Sequence, residues 1–487
     1  MKSDSLKKNM LLQFAYQFIV LIIPLIMAPY LTRNLGETAI GIYSYTYSIA
    51  YYFVLFCMLG IVKHGQRIIA KRKNNEIHLR KTFWSLYVVH SFFSIIGFLA
   101  YLLFCFILYD ENLIIYIAQS LYVLSAFFDI TWFFYGIENF KIVVIRNAAI
   151  KIIELLLVFV FVKSSSDLIK YTLIMSMSAL LSQIFLFPTV IKLARPIKIS
   201  IEDICEHIKP LLVLSVSVFA ISMFTVFDKT LLGILTTAEN VAFYEYANKI
   251  INIPKMFIVV VGTVIFPRAC NCVAYNDLSG IKRYYRYSIL MVYFIGFASI
   301  FGLIGVSDLF SIIYFGESFA ICGTLIKTLS PIVLIIGIGD IFRTQFLIPL
   351  KKDLQYTVCV IVNALINVCL SLVLIPHMGM YGAVIGTISA ELFGLIYQGY
   401  LIKEYINLYN TVFISFPFLV AGAFMLLVIN VLKSVINTTP LHLILQIIFG
   451  GIIYVAIVTI WFIFFDKDRL EFKNIILRLI KNQRSIK

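Results

Sequence analysis

The sequence predicts an all-α integral membrane protein with about fourteen transmembrane helices. Three observations predict it. Of 487 residues, 61% are hydrophobic and only 13% are charged, whereas a soluble domain has roughly a quarter of its residues charged and under half apolar. Apolar runs of about twenty residues, enough to cross a hydrocarbon core of about 30 Å, recur from end to end. Lys and Arg collect in alternate connections, as positive-inside topology demands.

The runs place spans at 10–31, 39–62, 83–108, 112–136, 142–162, 167–191, 210–235, 245–267, 285–306, 324–348, 356–376, 380–402, 412–432 and 441–465. In lipid each span must satisfy its own backbone hydrogen bonds, which selects helices. A barrel would show alternating segments of about ten residues, and none occur. Pro24 and Pro29 are expected to kink the first span, and Pro254 to open the backbone of the eighth. The first run is too long for a cleavable leader, and no small-residue cleavage site follows it.

Orientation follows from the connections. With a cytoplasmic N-terminus, 28 Lys and Arg fall on the cytoplasmic side, and only Arg33, Lys163 and Lys433 on the other. This asymmetry predicts a multi-pass membrane protein with both termini cytoplasmic. It also accounts for the net charge of +15 without nucleic acid. The longest connection, Lys63 to Thr82, leaves no room for a soluble domain. The tail after Phe465 reads as a basic, amphipathic segment suited to anionic lipid headgroups, or as a solvated tail. The eight cysteines form neither a disulfide framework nor a zinc site: Cys270 and Cys272 have no second Cys or His pair beside them. No cofactor motif occurs.

The chain also resembles itself. Gly41, Tyr43 and Tyr45 at the start of the second span match Ala242, Tyr244 and Tyr246 at the start of the eighth, at a constant offset of 201. Six intervening spans give both copies one membrane orientation, the parallel type of repeat whose substrate sites lie between halves. Tyr43 and Tyr244 are therefore candidate gating residues. The expected organisation is a six-helix bundle over 1–191, a linker over 192–209, a second bundle over 210–402, two further helices over 403–465 and a basic tail over 466–487.

A charge at the bilayer centre costs about 2.5–3.5 kcal/mol on insertion scales. Nine basic residues nevertheless lie inside the spans: Arg146, Lys151, Lys170, Lys229, Lys249, Lys255, Arg286, Lys327 and Arg343. Lys170, Arg286 and Lys327 lie near span ends, where long side chains snorkel. Lys151 lies mid-span. At 100° per residue Arg146, Glu154 and Lys151 fall at roughly 0°, 80° and 140°, on one side of the fifth helix, and Lys151 and Glu154 are spaced to pair. In the eighth span Glu245, Asn248, Lys249, Asn252 and Lys255 share an arc of about 120°. Asp340 and Arg343 are one turn apart, and Glu391 stands alone near the middle of its span. The six cations Arg146, Lys151, Lys229, Lys249, Lys255 and Arg343 are the candidates for holding an anionic passenger. Glu391, Asp129, Glu154, Asp228, Glu245 and Asp340 are the candidates for ion coupling or charge pairing. No P-loop, H-E-x-x-H or G-x-S-x-G occurs, so no enzyme activity is expected.

Four stretches carry a family resemblance: Pro29-Tyr30-Leu31-Thr32-Arg33-Asn34-Leu35-Gly36 with Gly41 to Ser44; His64-Gly65-Gln66-Arg67-Ile68-Ile69-Ala70; Asp129 to Lys141 with Arg146, Asn147 and Lys151; and Asp228 to Gly233 with Tyr244, Ala247 and Lys249. On these the chain resembles the Wzx-type polysaccharide or O-antigen flippases of the multidrug/oligosaccharidyl-lipid/polysaccharide exporter superfamily. That family often has Tyr-Gly-x-Arg after the second span, where this chain has His64. The resemblance implies two pseudo-symmetric six-helix bundles in a V around a central cavity, plus two C-terminal helices. It implies that an oligosaccharide repeat unit on polyprenyl diphosphate is flipped to the outer leaflet for O-antigen, capsule or exopolysaccharide. The implied partners are membrane lipids, a proton or sodium ion, a polysaccharide polymerase and a chain-length regulator. In the same superfamily, a drug or cation antiporter would need acids to meet its cargo, and the basic excess argues against it; a lipid II flippase is a close variant. A membrane-embedded glycosyltransferase or polymerase would need catalytic acids or a large outer loop. The longest outer connection, 307–323, carries only Asp308 and Glu317.

Overall fold

The computed structural model describes residues 3–107, 111–435 and 439–464; the basic tail lies outside them. The described chain is helical, with no strand among the described residues. The helices are α1 (Ser3–Asn34), α2 (Gly36–Met58), α3 (Ile61–Arg72), α4 (Glu76–Ile107), α5 (Leu113–Phe127), α6 (Thr131–Gly136), α7 (Phe140–Phe161), α8 (Leu168–Ile184) and α9 (Phe187–Leu193). Then follow α10 (Ile201–Leu235), α11 (Ala238–Ala274), α12 (Leu278–Phe315), α13 (Cys322–Leu329), α14 (Ile332–Phe342), α15 (Asp353–Met378), α16 (Met380–Ile402), α17 (Leu408–Ile414), α18 (Phe416–Val435) and α19 (Pro440–Phe464).

Among the described residues, ten stretches are long and apolar enough to cross a membrane, and an eleventh is the pair α13 and α14, bent by 41°. Each predicted span falls on a helix or a broken helix. Fourteen spans are the expectation from the sequence; α7, which carries three charges between Arg146 and Glu154, is not among these stretches. Many helices overrun the membrane. The 38 residues of α12 extend about 57 Å at 1.5 Å per residue, so 307–315, expected in an outer loop, continue the helix. The connection from Lys63 to Thr82 is likewise mostly α3 and the first turns of α4.

The prolines leave their helices unbroken, and other residues break the spans. Pro24 and Pro29 sit within a continuous α1, and Pro254 within a continuous α11. The predicted span 112–136 instead breaks between α5 and α6. There Asp129 turns its carboxylate onto the Thr131 backbone N–H at 2.9 Å and hydroxyl at 2.5 Å, and a side chain that takes these bonds competes with helical ones. Pro331 stands at the bend before α14, where its missing N–H costs nothing. The last turn of this segment, Arg343–Leu347, is a π-helix, a form frequent at functional sites.

By internal contacts the chain divides into two compact units. Unit 1 is Met1–Tyr246 with Val360–Thr387; unit 2 is Ala247–Cys359 with Ile388–Lys487. In unit 1, α4 buries Ser85, His90, Ser94 and Tyr101 while exposing Phe92, Ile95, Leu99, Leu103 and Phe106. Polar inside and apolar outside is the polarity of a helix in lipid. Trp132, Phe133 and Phe134, from the stretch that carries most of the family resemblance, are completely buried against Phe83, Ile69 and Leu211. That stretch is a packing core. Ser200 caps α10 in a reciprocal box with Asp203, and the Ser200 N–H holds the Asp203 carboxyl below the usual carboxylate range. All eight cysteines are free.

In unit 2, α12 is the central post. Tyr293 on α12 donates to the Thr411 carbonyl at 3.0 Å, and Tyr454 on α19 donates to the Phe294 carbonyl at 2.9 Å. These buried hydroxyls tie α17 and α19 to it.

Candidate functional site

Three groups of polar side chains lie inside the spans. The first lines a cavity of about 330 Å³ in unit 1, bounded by α2, α5, α7 and α8. Lys151 and Glu154 stand in its wall, and the ammonium donates to both carboxylate oxygens, at 2.8 and 3.0 Å. The Glu154 side chain is 4% exposed and that of Lys151 is 37% exposed, so the pair has an inner acid and an outer base. Asp129 also lines the cavity, with one oxygen spent on Thr131. The rest of the wall is uncharged. Tyr47 stacks on Tyr122 at 4.8 Å and on Tyr43 at 5.9 Å, and Tyr43 meets Tyr171 edge-on at 4.7 Å. The Tyr47 hydroxyl donates to that of Tyr122 at 3.1 Å.

Arg146 shares the face of Lys151 but does not line this cavity. Its guanidinium donates to the Ser182 carbonyl, to Gln183 at 3.3 Å and to Asn147 at 3.1 Å. A cation on the last carbonyls of α8 satisfies groups that the helix leaves open and complements its dipole.

The second group surrounds Asp228 on α10, also in unit 1. The carboxylate is buried and accepts from Tyr244 at 2.8 Å, Thr387 at 2.6 Å and Ser371 at 3.3 Å. Asn367 donates to Thr387 at 3.3 Å, while its own side-chain oxygen is buried without a partner. No basic side chain pairs with Asp228 among the described residues. Beside it, Lys229 pairs with Glu245. Towards the ends of α10 and α2 the two repeat copies touch. Thr38 donates to Glu239 at 2.6 Å, a pair separated by the repeat offset of 201. Ser48 meets Thr230 at 3.0 Å. The Ala238 carbonyl lies so close to Gly41 that a Cβ there would overlap it. Tyr43 and Tyr244, expected at a gate, flank this contact, the first in the cavity wall and the second on Asp228.

The third group is in unit 2. Arg343, at the start of the π-helical turn, pairs with buried Asp340 and donates to Tyr356 at 3.3 Å. α11 passes so near at Gly262 that a Cβ would fall on the Asp340 carboxylate. Glu391 is not alone: Lys255 and Arg343 are the charges that act on it, and it is the charge that acts on Lys255. The sequence placed these groups in four separate spans, and the fold gathers them. Lys249 is half-buried and has interactions of its own.

Lys170 and Lys327, expected to snorkel, form ion pairs with Asp167 and Asp308 near the span ends. Sequence reasoning missed the shell of Asp228, because Ser371 and Thr387 are small polar residues distant in the chain. It missed Gln119 and Tyr122 in the cavity for the same reason. It also gave His64 no role; the ring lies 3.3 Å from the buried ring of His207 on α10.

A family of polysaccharide biosynthesis proteins matches residues 6–271, more than half of the chain and all of the first cavity. The chain belongs to that family. Two relatives of this family member carry the name "Putative O-antigen transporter". The one from Shigella dysenteriae is 24% identical over 397 residues, covering 81% of this chain and 99% of its own length. The one from Escherichia coli strain K12 is 22% identical over 394 residues, covering 80% and 94%. Among solved structures, the lipid II flippase MurJ in an inward closed conformation shares the fold with a TM-score of 0.77. It is 16% identical and covers 93% of this chain and 99% of its own. A multidrug resistance MATE family transporter of the MOP superfamily, inward-facing, matches with a TM-score of 0.57 at 13% identity, over 79% and 98%. These likenesses establish a multi-pass membrane protein with a transporter fold.

Proposed function

We propose that this polysaccharide biosynthesis family member is a flippase. It moves polyprenyl-diphosphate-linked oligosaccharide repeat units from the cytoplasmic to the outer leaflet of a bacterial cytoplasmic membrane, by alternating access coupled to an ion gradient. The observation that carries this reading is the set of polar clusters held inside apolar spans in a chain of this family. A polar group in hydrocarbon is retained where something polar must pass. The names of the two relatives and the fold of a lipid II flippase support it. The 28-to-3 distribution of basic residues supports fourteen spans with both termini cytoplasmic. The offset repeat supports two six-helix bundles.

The passenger's diphosphate is anionic, and Lys249, Lys255 and Arg343 are assigned to it; Arg and Lys suit phosphate oxygens. Arg146, Lys151, Lys229 and Arg343 also have protein partners, so a phosphate at Arg343 shares it with Asp340. The coupling ion is assigned to Asp228. Its partners are neutral oxygen donors, so a proton on the carboxyl, or a sodium ion among these oxygens, would satisfy the buried charge.

Deletion of the gene in its own host tests the reading. The expected result is loss of surface polysaccharide, with lipid-linked repeat units accumulating in the inner leaflet. Accumulation of lipid II instead would move the passenger to cell-wall precursor. Unchanged polysaccharide with no accumulated lipid-linked sugar would overturn the flippase reading.

A further inference from the structure

The cavity in unit 1 differs in chemistry from what a diphosphate needs. Its charged lining is Asp129, Lys151 and Glu154, and the Lys151 ammonium is held between the two oxygens of Glu154. The formal balance is therefore one negative charge, which repels a phosphate dianion. The remaining lining is tyrosine, amide and hydroxyl. Gln119 is 1% exposed, and its side-chain nitrogen has no hydrogen-bond partner. A buried amide N–H₂ left unpaired costs about 1–3 kcal/mol, and Gln119 belongs to the cavity wall. Tyr47 and Tyr122 share a single hydrogen bond between their two hydroxyls, so one O–H proton is left to donate. Stacked tyrosines offer apolar, polarisable surface at the same place.

We propose that this cavity binds a sugar ring of the passenger, with Gln119 and Tyr122 donating to its hydroxyl or acetamido oxygens and the tyrosines packing on its C–H face. Rings that are apolar on one face and dense with hydroxyls at the rim match a pocket that is aromatic, hydrogen-bonding and without a free cation. The volume lies at the lower end of the range of small-ligand sites, about 300–1,000 Å³, and suits a monosaccharide-sized group rather than a whole repeat unit. The inference rests on the flippase reading and divides its passenger: sugar on the tyrosine and amide wall, diphosphate on cations elsewhere.

The test uses the purified full-length protein in nanodiscs and two lipids. One is polyprenyl diphosphate carrying the repeat unit, extracted from the host's deletion strain; the other is bare polyprenyl diphosphate. Gln119→Leu and Tyr122→Phe should each weaken binding of the sugar-bearing lipid by roughly fivefold, the worth of one neutral hydrogen bond, and leave the bare lipid unchanged. Lys255→Ala should weaken both. Tyr122→Phe removes one oxygen and carries the test alone if Gln119→Leu does not yield folded protein, which thermal melting of each variant establishes. Equal loss for both lipids, or no loss for either, would overturn the sugar site. If the wild-type protein binds neither lipid, the flippase reading falls instead.

Discussion

Lys151 was the most conspicuous residue in the sequence, and its role turns on a neighbour three positions away. Glu154 is the buried member of the pair and Lys151 the half-exposed one, so removing the base strands an acid. Breaking a buried pair from one side costs about 3–5 kcal/mol, and less where one partner keeps access to water. Lys151→Ala should therefore lower the melting temperature and membrane abundance of the protein. The double variant Lys151→Met with Glu154→Gln should recover most of both. Fluorescence thermal melting of the three proteins decides it; a double variant no better than the single would show that the lysine acts outside the pair. Asp228 offers the complementary case, a buried acid with hydroxyls but no base around it. Asp228→Asn keeps the shape; its amide oxygen still accepts, a hydroxyl facing the amide nitrogen turns to accept from it, and the variant should fold. Transport by the variant in proteoliposomes should no longer respond to a sodium or pH gradient; an unaltered response would return ion coupling to Glu391. His64 shows where residue-level reading stops. Its partner His207 lies 143 positions away, and nothing local to either announces the other.

At the scale of the element, span positions were legible because apolar length is a physical requirement of the bilayer. Their breaks were not. The sequence drew attention to Pro24, Pro29 and Pro254, which lie within the unbroken α1 and α11. A helix in a bundle can tolerate proline when neighbouring groups satisfy the freed carbonyl. The breaks occur instead where a side chain offers the backbone an alternative, as Asp129 does, or where Pro331 begins a new direction. The contact of α2 with α10 and α11 was only half legible. The repeat pointed to Tyr43 and Tyr244, whereas the surfaces that touch are built around Thr38 with Glu239 and Gly41 with Ala238. If this contact must open during transport, a disulfide between Thr38→Cys and Glu239→Cys should arrest the protein, and reductant should restore it. Transport at the full rate with the cross-link formed would remove the contact from the moving parts.

At the scale of the whole molecule, composition and charge distribution made the class readable before any motif did. Counting intramembrane charges was less informative than pairing them. The excess of bases over acids within the spans suggested a cationic interior, yet Lys151, Lys229 and Arg343 each have an acid in contact. Which charges meet is a property of the fold, since Glu391, Lys255 and Arg343 come from separate spans. The orientation has its own test. On a cysteine-free background, Lys71→Cys should react with an impermeant maleimide only after permeabilisation, and Glu317→Cys should react in intact cells. The reverse pattern would invert the topology.

The hydrogen bond from Thr38 to Glu239 joins two positions that the repeat makes equivalent. Had each copy once been a separate subunit, these would have been one residue facing itself across a twofold axis, as any self-complementary dimer requires. A residue facing itself cannot be both the hydroxyl and the carboxylate. Joining the copies in one chain lifts that restriction: each side can change without its twin, and a donor can come to face an acceptor. The pair thus records a freedom that only a fused chain has, to be asymmetric at the very place where symmetry is strictest.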